Sequence, residues 1–272
     1  MARVKPPLPV LNRAHPLARG LEGAWLPSEA GAGVIKDISG KRRHLTIAGS
    51  ANARSVAING HGTGVAAGAT TYYGSTDATL IGLAANKNFT IAWVGSVGAN
   101  AIANPAWAIG LNGTDILAMY PTDSTSPAYA RVYWNDIGSI LAERNITTTW
   151  LITDRKPHTE AFSSYGDTDH RIFGDGAQVG SSARSRASTG PFSTFAVMAW
   201  PTATSQALAQ ATANISNAFF AWSRALTPAE HAAFHVDPFA AFRPSRLTIV
   251  KPPAPRPWEW HRGFRVPAGR LA

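Results

Sequence analysis

Between residues 21 and 222 the sequence alternates short apolar runs with turns rich in Gly, Asn, Asp, Ser and Thr. The runs are often aromatic and have no sustained 3.6-residue period, which favours strands over helices. About a dozen short strands at this spacing predict an all-β, two-sheet antiparallel sandwich of the jelly-roll type. The predicted strands are Gly23–Leu26, Leu45–Ile47, Ser55–Ile58, Phe89–Ser96, Trp107–Leu111, Ile116–Tyr120, Arg131–Trp134, Trp150–Thr153, Arg171–Phe173, Phe195–Trp200 and Ala218–Trp222.

The strand Phe89–Ser96 carries the clearest alternation. Its residues Phe89, Ile91 and Trp93 share one face, because successive side chains of a strand point to opposite sides of the sheet. We therefore expect these three residues to fill the core of the sandwich.

One short C-terminal helix is predicted from a capping signal. Thr227 and Glu230 have the spacing of a capping box, and Pro228 occupies the first helical position. The predicted helix covers residues 228–236, and Asp237-Pro238 ends it. A second short helix at Ser205–Ala213 is favoured by its Ala, Gln and Leu content. We expect the first helix to pack against one edge of the sandwich.

The segments His15–Leu21, Gly23–Leu26 and Asp37–Gly40, followed by His44, together resemble the opening of laminin-G-like domains of the concanavalin A-like lectin/glucanase superfamily. An internal strand, a hairpin and a closing strand with its helix resemble Phe89–Val94, Ile172–Gly176 and Trp222–Glu230. The resemblance implies a concanavalin A-like sandwich.

The segment Asp237–Pro244 resembles the tail that follows this domain in structural proteins of tailed phages. The resemblance therefore implies a structural component of a tailed-phage virion, either a capsid decoration or a minor head or tail protein. Such a protein is expected in the virion after synthesis in the host cytoplasm.

Charge divides the chain into three parts. The formal charge is +9, yet residues 1–20 hold four Lys or Arg and no acid, and residues 244–272 hold six against Glu259 alone. These two ends also contain ten of the 19 prolines. We therefore predict a basic N-terminal arm over residues 1–20, a sandwich domain over 21–243 and a basic, Pro-rich C-terminal arm over 244–272, both arms extended.

The C-terminal arm combines aromatic side chains with arginines, a mixture that dominates binding hot spots. We expect it to dock on a partner subunit, with other virion proteins or further copies of the chain as partners. The predicted docking residues are Arg256, Trp258, Trp260, Arg262, Phe264 and Arg265. The competing interpretation is that the arm folds back onto its own sandwich.

Catalytic motifs are missing from the sequence. The resemblance to the superfamily implies that a glycosidase would carry the motif Glu-x-Asp-x-x-Glu on one strand. This chain has no such motif. Asp167 and Asp169 lie in a Gly/Ser-rich stretch, where a solvated loop is favoured over a Ca²⁺ site built with Asp175. His231 and His235 have metal-ligand spacing, but no third ligand is placed beside them. We therefore expect no catalytic residue, no enzymatic activity, no metal and no cofactor.

Carbohydrate binding is the alternative function, as a host-receptor or adhesion protein. An exposed aromatic ring can stack on a sugar, and the candidates lie in the middle of the chain. They are Trp107, Tyr120, Tyr133 and Trp134. Nucleic acid is not expected as a partner because residues 21–243 carry no net charge. A membrane is not expected either, because no apolar stretch approaches the ~20 residues that span a bilayer.

Overall fold

The computed structural model describes residues 10–27, 33–49, 54–59, 62–67, 71–83, 86–97, 107–111, 115–120, 131–136, 139–142, 156–183, 194–197 and 215–242. Its elements in chain order are β1 (Leu21–Trp25), β2 (Val34–Ile35), β3 (Leu45–Gly49), β4 (Arg54–Asn59), β5 (Gly62–Ala67), β6 (Thr71–Ser75), α1 (Ala78–Gly82), β7 (Asn88–Ser96), β8 (Trp107–Leu111), β9 (Asp115–Tyr120), β10 (Arg131–Asp136), β11 (Ser139–Ala142), β12 (His158–Tyr165), β13 (His170–Gly174), β14 (Ala177–Ser182), β15 (Thr194–Val197), β16 (Ile215–Trp222) and α2 (Pro228–Val236). Short 3-10 helices cover Pro16–Ala18 and Ala240–Phe242.

The strands form two antiparallel sheets of eight strands each. Sheet A has the order β14-β13-β12-β7-β16-β5-β4, and β1 also pairs with β16. Sheet B has the order β11-β10-β9-β8-β15-β6-β3-β2. This architecture confirms the predicted all-β, two-sheet antiparallel sandwich.

Sheet A is covered on both of its faces, which gives the protein two apolar layers. Phe89, Ile91 and Trp93 of β7 are buried on the inner face, as their alternation predicts. On this side, Trp25 contacts Phe195 of sheet B with ring centroids 5.3 Å apart. A second cluster of buried side chains lies on the outer face under α2, and it includes Ala92, Val94, Ala161, Phe173, Phe220, Trp222, Phe234, Phe239 and Phe242.

The predicted helix is confirmed, but its expected place at a sheet edge is wrong. Phe234 of α2 packs edge-on against Phe220 and Trp222, with ring centroids 5.2 and 5.6 Å away, so the helix lies across the outer face of sheet A. The capping box forms as predicted between Thr227 and Glu230.

The predicted strand Trp150–Thr153 and the predicted helix Ser205–Ala213 lie outside the described residues. Within the described part of the chain, no helix has the length and apolar character needed to cross a membrane.

Candidate functional site

The second half of the predicted N-terminal arm packs as part of the sandwich. The backbone N–H of Asn12 donates to the Ala241 carbonyl at 2.7 Å, and the Trp222 indole N–H donates to the Leu17 carbonyl at the same distance. Leu17 is buried in the outer cluster. Residues 12–20 therefore behave as a strap across sheet A, and we call them the N-terminal strap.

Arg224 fastens this strap to helix α2. Its Nε donates to the Arg19 carbonyl at 2.7 Å, and its Nη2 donates to the Pro16 carbonyl at 3.0 Å. The two terminal nitrogens also bind the Glu230 carboxylate, at 2.8 and 2.7 Å. Two parallel charge-assisted bonds of this kind fix orientation as well as distance.

Glu230 is held ionised by its partners. Its backbone N–H donates to Thr227 Oγ1 at 3.2 Å, and its carboxylate accepts from the Thr227 backbone N–H at 2.9 Å. Burial acts to raise the pKa of Glu230, but the hydrogen bonds from Arg224 and Thr227 outweigh burial and lower the pKa to about 2. The carboxylate is therefore charged over the whole physiological range and stays paired.

A polar cleft of about 680 Å³ opens beside this ion pair. The volume lies within the range of ordinary small-molecule sites. In the described part of the chain, Arg224 and Glu230 are occupied by each other, whereas the side chains of Arg19 and Asn88 are exposed and have no described partner. The cleft is lined by Arg19, Asn88, Ser223, Arg224, Ala225, Thr227 and Glu230. We call the end of sheet A at which this cleft lies the open end.

The opposite end of sheet A is closed by a carboxylate that two histidines share. Asp175 Oδ2 lies 2.8 Å from His158 Nδ1, and Asp175 Oδ1 lies 3.4 Å from His235 Nδ1 of α2. Asp175 Oδ1 also accepts from the Thr159 backbone N–H at 3.0 Å. At Gly176, which has φ +83°, an added Cβ would come within 2.9 Å of the backbone of α2, so the helix lies directly on this turn.

Glu160 lies beside the closed end with its side chain fully buried. Neither of its carboxyl oxygens has a hydrogen-bond partner in the described structure. Burial, reinforced by the nearby negative charge of Asp175, raises the pKa of Glu160 well above its usual range. The neutral acid is therefore favoured, because an ionised carboxylate would be unsolvated and unpaired there.

His231 and Ser163 have the arrangement of a base and a nucleophile but no access to solvent. Ser163 Oγ lies 2.9 Å from His231 Nε2 and 2.6 Å from Thr90 Oγ1. Burial lowers the pKa of His231 to about 3, and its ring stacks on Phe173 with centroids 3.6 Å apart. A substrate cannot reach these fully buried atoms, so we assign them to packing.

The two histidines of α2 go to different partners. His231 binds Ser163, whereas His235 binds Thr159 Oγ1 at 3.0 Å and faces Asp175. Within the described residues, no three His, Cys, Asp or Glu side chains are grouped closely enough to hold a metal ion.

A calcium site shared by Asp167, Asp169 and Asp175 is contradicted by the structure. Asp167 pairs with Lys87 at 2.6 Å, and Asp169 forms two bonds to Arg171 at 2.8 and 2.6 Å. Asp175 lies at the other end of the eight-residue strand β12, about 20 Å away at 3.3 Å per residue. The three carboxylates cannot meet on one ion.

The four predicted sugar-binding aromatics divide into two pairs by strand register. In the strand register, position 107 pairs with the buried Met119 and position 134 pairs with position 117. Positions 107 and 134 therefore lie on the same face of sheet B as Met119. Tyr120 and Tyr133 take positions on the other face. Sugar binding by these residues stays a prediction.

The six predicted docking residues of the C-terminal arm lie outside the described part of the chain. They are Arg256, Trp258, Trp260, Arg262, Phe264 and Arg265. Docking through them stays a prediction.

Two site features were missed by the sequence reasoning. Arg224 follows a core tryptophan and precedes a capping glutamate by six residues, which is a usable signal for a bidentate pair. Glu160 sits in His-Thr-Glu-Ala-Phe-Ser-Ser-Tyr, a run with too many polar residues for a predicted core strand. Nothing local in that run indicates burial.

No protein-family model matches this sequence, and no curated protein matches it. Solved structures do resemble it. Domain 4 of AbnA, an extracellular GH43 arabinanase from Geobacillus stearothermophilus, in complex with arabinotriose, has a TM-score of 0.59 at 13% identity. That match covers 79% of this chain and 98% of the domain.

Two further structures share the fold. Trypanosoma rangeli sialidase in complex with sialic acid has a TM-score of 0.58 at 15% identity, over 83% of this chain and 34% of the sialidase. The binding domain of Paraclostridial Mosquitocidal Protein 1 has a TM-score of 0.53 at 11% identity, over 80% of this chain and 52% of that domain. The chain thus spans about a third of the sialidase. At these identities the likeness shows a concanavalin-like sandwich fold.

The expectation that this chain is not an enzyme requires correction. Its structural neighbours include a domain of a glycoside hydrolase and a sialidase, so they contradict that expectation. The missing Glu-x-Asp-x-x-Glu motif was too narrow a criterion, because a fold can carry a given chemistry with different residues.

Proposed function

We propose that this protein is a carbohydrate-recognition module that binds a glycan in the cleft at the open end of sheet A. The observation that carries the proposal is a ligand-sized cleft walled by hydrogen-bonding side chains, two of which have no described partner. A sugar presents many hydroxyl groups, and a site of this kind can satisfy them. The AbnA domain in complex with arabinotriose supports the proposal, since the match extends over 98% of that domain.

The cleft is preorganised for binding. Arg224 and Glu230 hold each other, the strap and the helix end in place, so the walls do not have to be ordered when a ligand arrives. Preorganisation reduces the entropic cost of binding. The side chains of Arg19 and Asn88 are then available to contact the ligand.

The test is calorimetric titration of the full chain with arabinotriose and a panel of other oligosaccharides. Asn88→Ala removes an amide proposed to contact the sugar hydroxyls and is expected to weaken binding by about fivefold. Asn86→Ala is the matched control, because Asn86 is also exposed and does not line the cleft. Product analysis of the same mixtures reports whether the bound sugar is also cleaved. A full panel without saturable binding, or equal binding by both variants, would contradict the proposal.

A virion role is the second proposal, supported by the sequence of the segment Asp237–Pro244 and by the basic arms. In this proposal the sandwich projects from a phage particle and the C-terminal arm docks on neighbouring subunits. Deleting residues 245–272 is expected to leave a folded sandwich and to abolish incorporation into particles. Normal incorporation of the truncated chain would overturn the docking role. Mass spectrometry of purified particles is the direct measurement.

A further inference from the structure

A second cleft lies on the other side of the N-terminal strap. Its volume is about 290 Å³, and its lining includes Arg13, Ala18, Gly20 and Lys41. Arg19 of the same strap lines the first cleft. The two clefts therefore border the strap at consecutive residues, Ala18, Arg19 and Gly20.

The charges of the two clefts do not balance. In the first cleft, the charge of Glu230 is neutralised by its ion pair with Arg224. Glu22, the acidic residue that lines the second cleft, is bound by Arg43 at 2.8 Å and lies 3.8 Å from Lys41. Two cations remain exposed without a described ion pair among the residues that the structure describes, namely Arg13 and Arg19.

We propose that the two clefts together bind an acidic oligosaccharide whose carboxylates lie on successive sugars, with Arg19 in one cleft and Arg13 in the other. This inference rests on the proposed function and names its ligand class. A guanidinium forms two parallel hydrogen bonds to a carboxylate, so an arginine on each side of the strap suits a chain of uronic acids. Asn88 in the first cleft remains available for sugar hydroxyls.

Neutral sugars of the same shape would lose these charge-assisted bonds. We therefore expect oligogalacturonides to bind more tightly than their fully methyl-esterified forms, which keep the sugar chain and remove the charge. The difference is expected to shrink as salt is added, because exposed charges are screened.

The experiment titrates the full chain with trigalacturonate, its methyl ester and 3′-sialyllactose. Arg19→Gln and Arg13→Gln are each expected to weaken trigalacturonate binding by about tenfold, the scale of one charge-assisted pair. Lys36→Gln is the matched control, because Lys36 is exposed and lines neither cleft. The control is expected to bind like the unchanged chain.

Three results would overturn the inference. The ester can bind as tightly as the acid, the arginine variants can bind normally, or sialyllactose, with its single carboxylate, can bind more tightly than trigalacturonate. If neutral sugars bind as tightly as acidic ones and Asn88→Ala weakens that binding, the proposed function stands while the acidic-ligand inference fails. If no sugar binds at all, both fail.

Discussion

At the open end of sheet A, Arg224 and Glu230 pair with each other beside a cleft, whereas at the closed end Asp175 is shared by two histidines under helix α2. Both ends therefore contain ionisable groups whose pKa values can be changed by their neighbours. At the open end the carboxyl pKa is lowered by hydrogen bonds, and unoccupied polar groups remain at the surface. At the closed end the pKa of Glu160 is raised by burial, and no solvent reaches it.

An altered pKa does not by itself identify a ligand site. The carboxyl pKa of Glu160 is raised well above its usual range, yet the group lies in the interior. Arg19 and Asn88, the groups proposed to meet a ligand, are ordinary exposed side chains, and Arg224 binds the backbone carbonyl of Arg19. Access to the group decides its role, more than its acidity does.

The largest expected effect concerns the apolar support of the open end. Trp222 is buried and donates its indole N–H to the strap, so Trp222→Ala creates a cavity and frees the Leu17 carbonyl. The free energy of unfolding is expected to fall by about 3–5 kcal/mol. Urea denaturation measures it, and Val236→Ala, at a position 59% exposed, is the control with little change. An unchanged stability in Trp222→Ala would break the link between strap and core.

The next effect concerns the polar support of the same end. Arg224→Ala removes two bonds to the strap and the bidentate pair with Glu230, and we expect a loss of about 2 kcal/mol. Arg171→Ala removes a similar pair with Asp169 at a more exposed position and is expected to cost less than about 1 kcal/mol. Equal losses in urea denaturation would show that the strap contacts add nothing.

The closed end is expected to show the opposite pH dependence from a paired carboxylate. Because the folded-state pKa of Glu160 is raised, the folded state holds a proton that the unfolded state has released. The contribution of Glu160 to the free energy of unfolding is therefore fully present below the ordinary range of a Glu pKa. It is lost as pH rises from that range through the folded-state pKa, by about 1.4 kcal/mol per pH unit between the two.

Glu160→Gln tests this sign directly. The amide cannot ionise, so the variant is expected to lose the decline in stability measured by urea denaturation across a pH series. Asp167→Asn removes an exposed carboxylate from the other end of β12 and is the control that keeps the decline. A decline of unchanged slope in Glu160→Gln would show that another group titrates.

The smallest effect belongs to the helix end that borders the cleft. Thr227→Ala removes the cap from the Glu230 backbone N–H and is expected to cost about 1 kcal/mol. Thermal unfolding measures it. A neutral result would mean that the cap contributes nothing beyond the Arg224 pair.

Local sequence signals predicted the elements whose stabilising contacts are local. The capping box of α2 lies within four residues, and the face of β7 follows from alternation alone. The N-terminal strap was predicted as part of an extended basic arm, because its charge and prolines give no sign that the Leu17 carbonyl would bind a tryptophan 205 residues away. The burial of β12 could not be predicted for the same reason. The hydroxyls of Thr159 and Ser163 find their hydrogen-bond partners on α2, which lies far away along the sequence.

Backbone amide NMR during a titration with trigalacturonate tests whether the ligand binds at the open end of sheet A. Shifted amides are expected to cluster at Arg13 and Arg19–Gly20, at Asn88 and at Ser223–Thr227, while those of Asp175–Ala177 stay in place. Shifts that cluster instead at Tyr120 and Tyr133 on β9 and β10, or at the closed end, would contradict it.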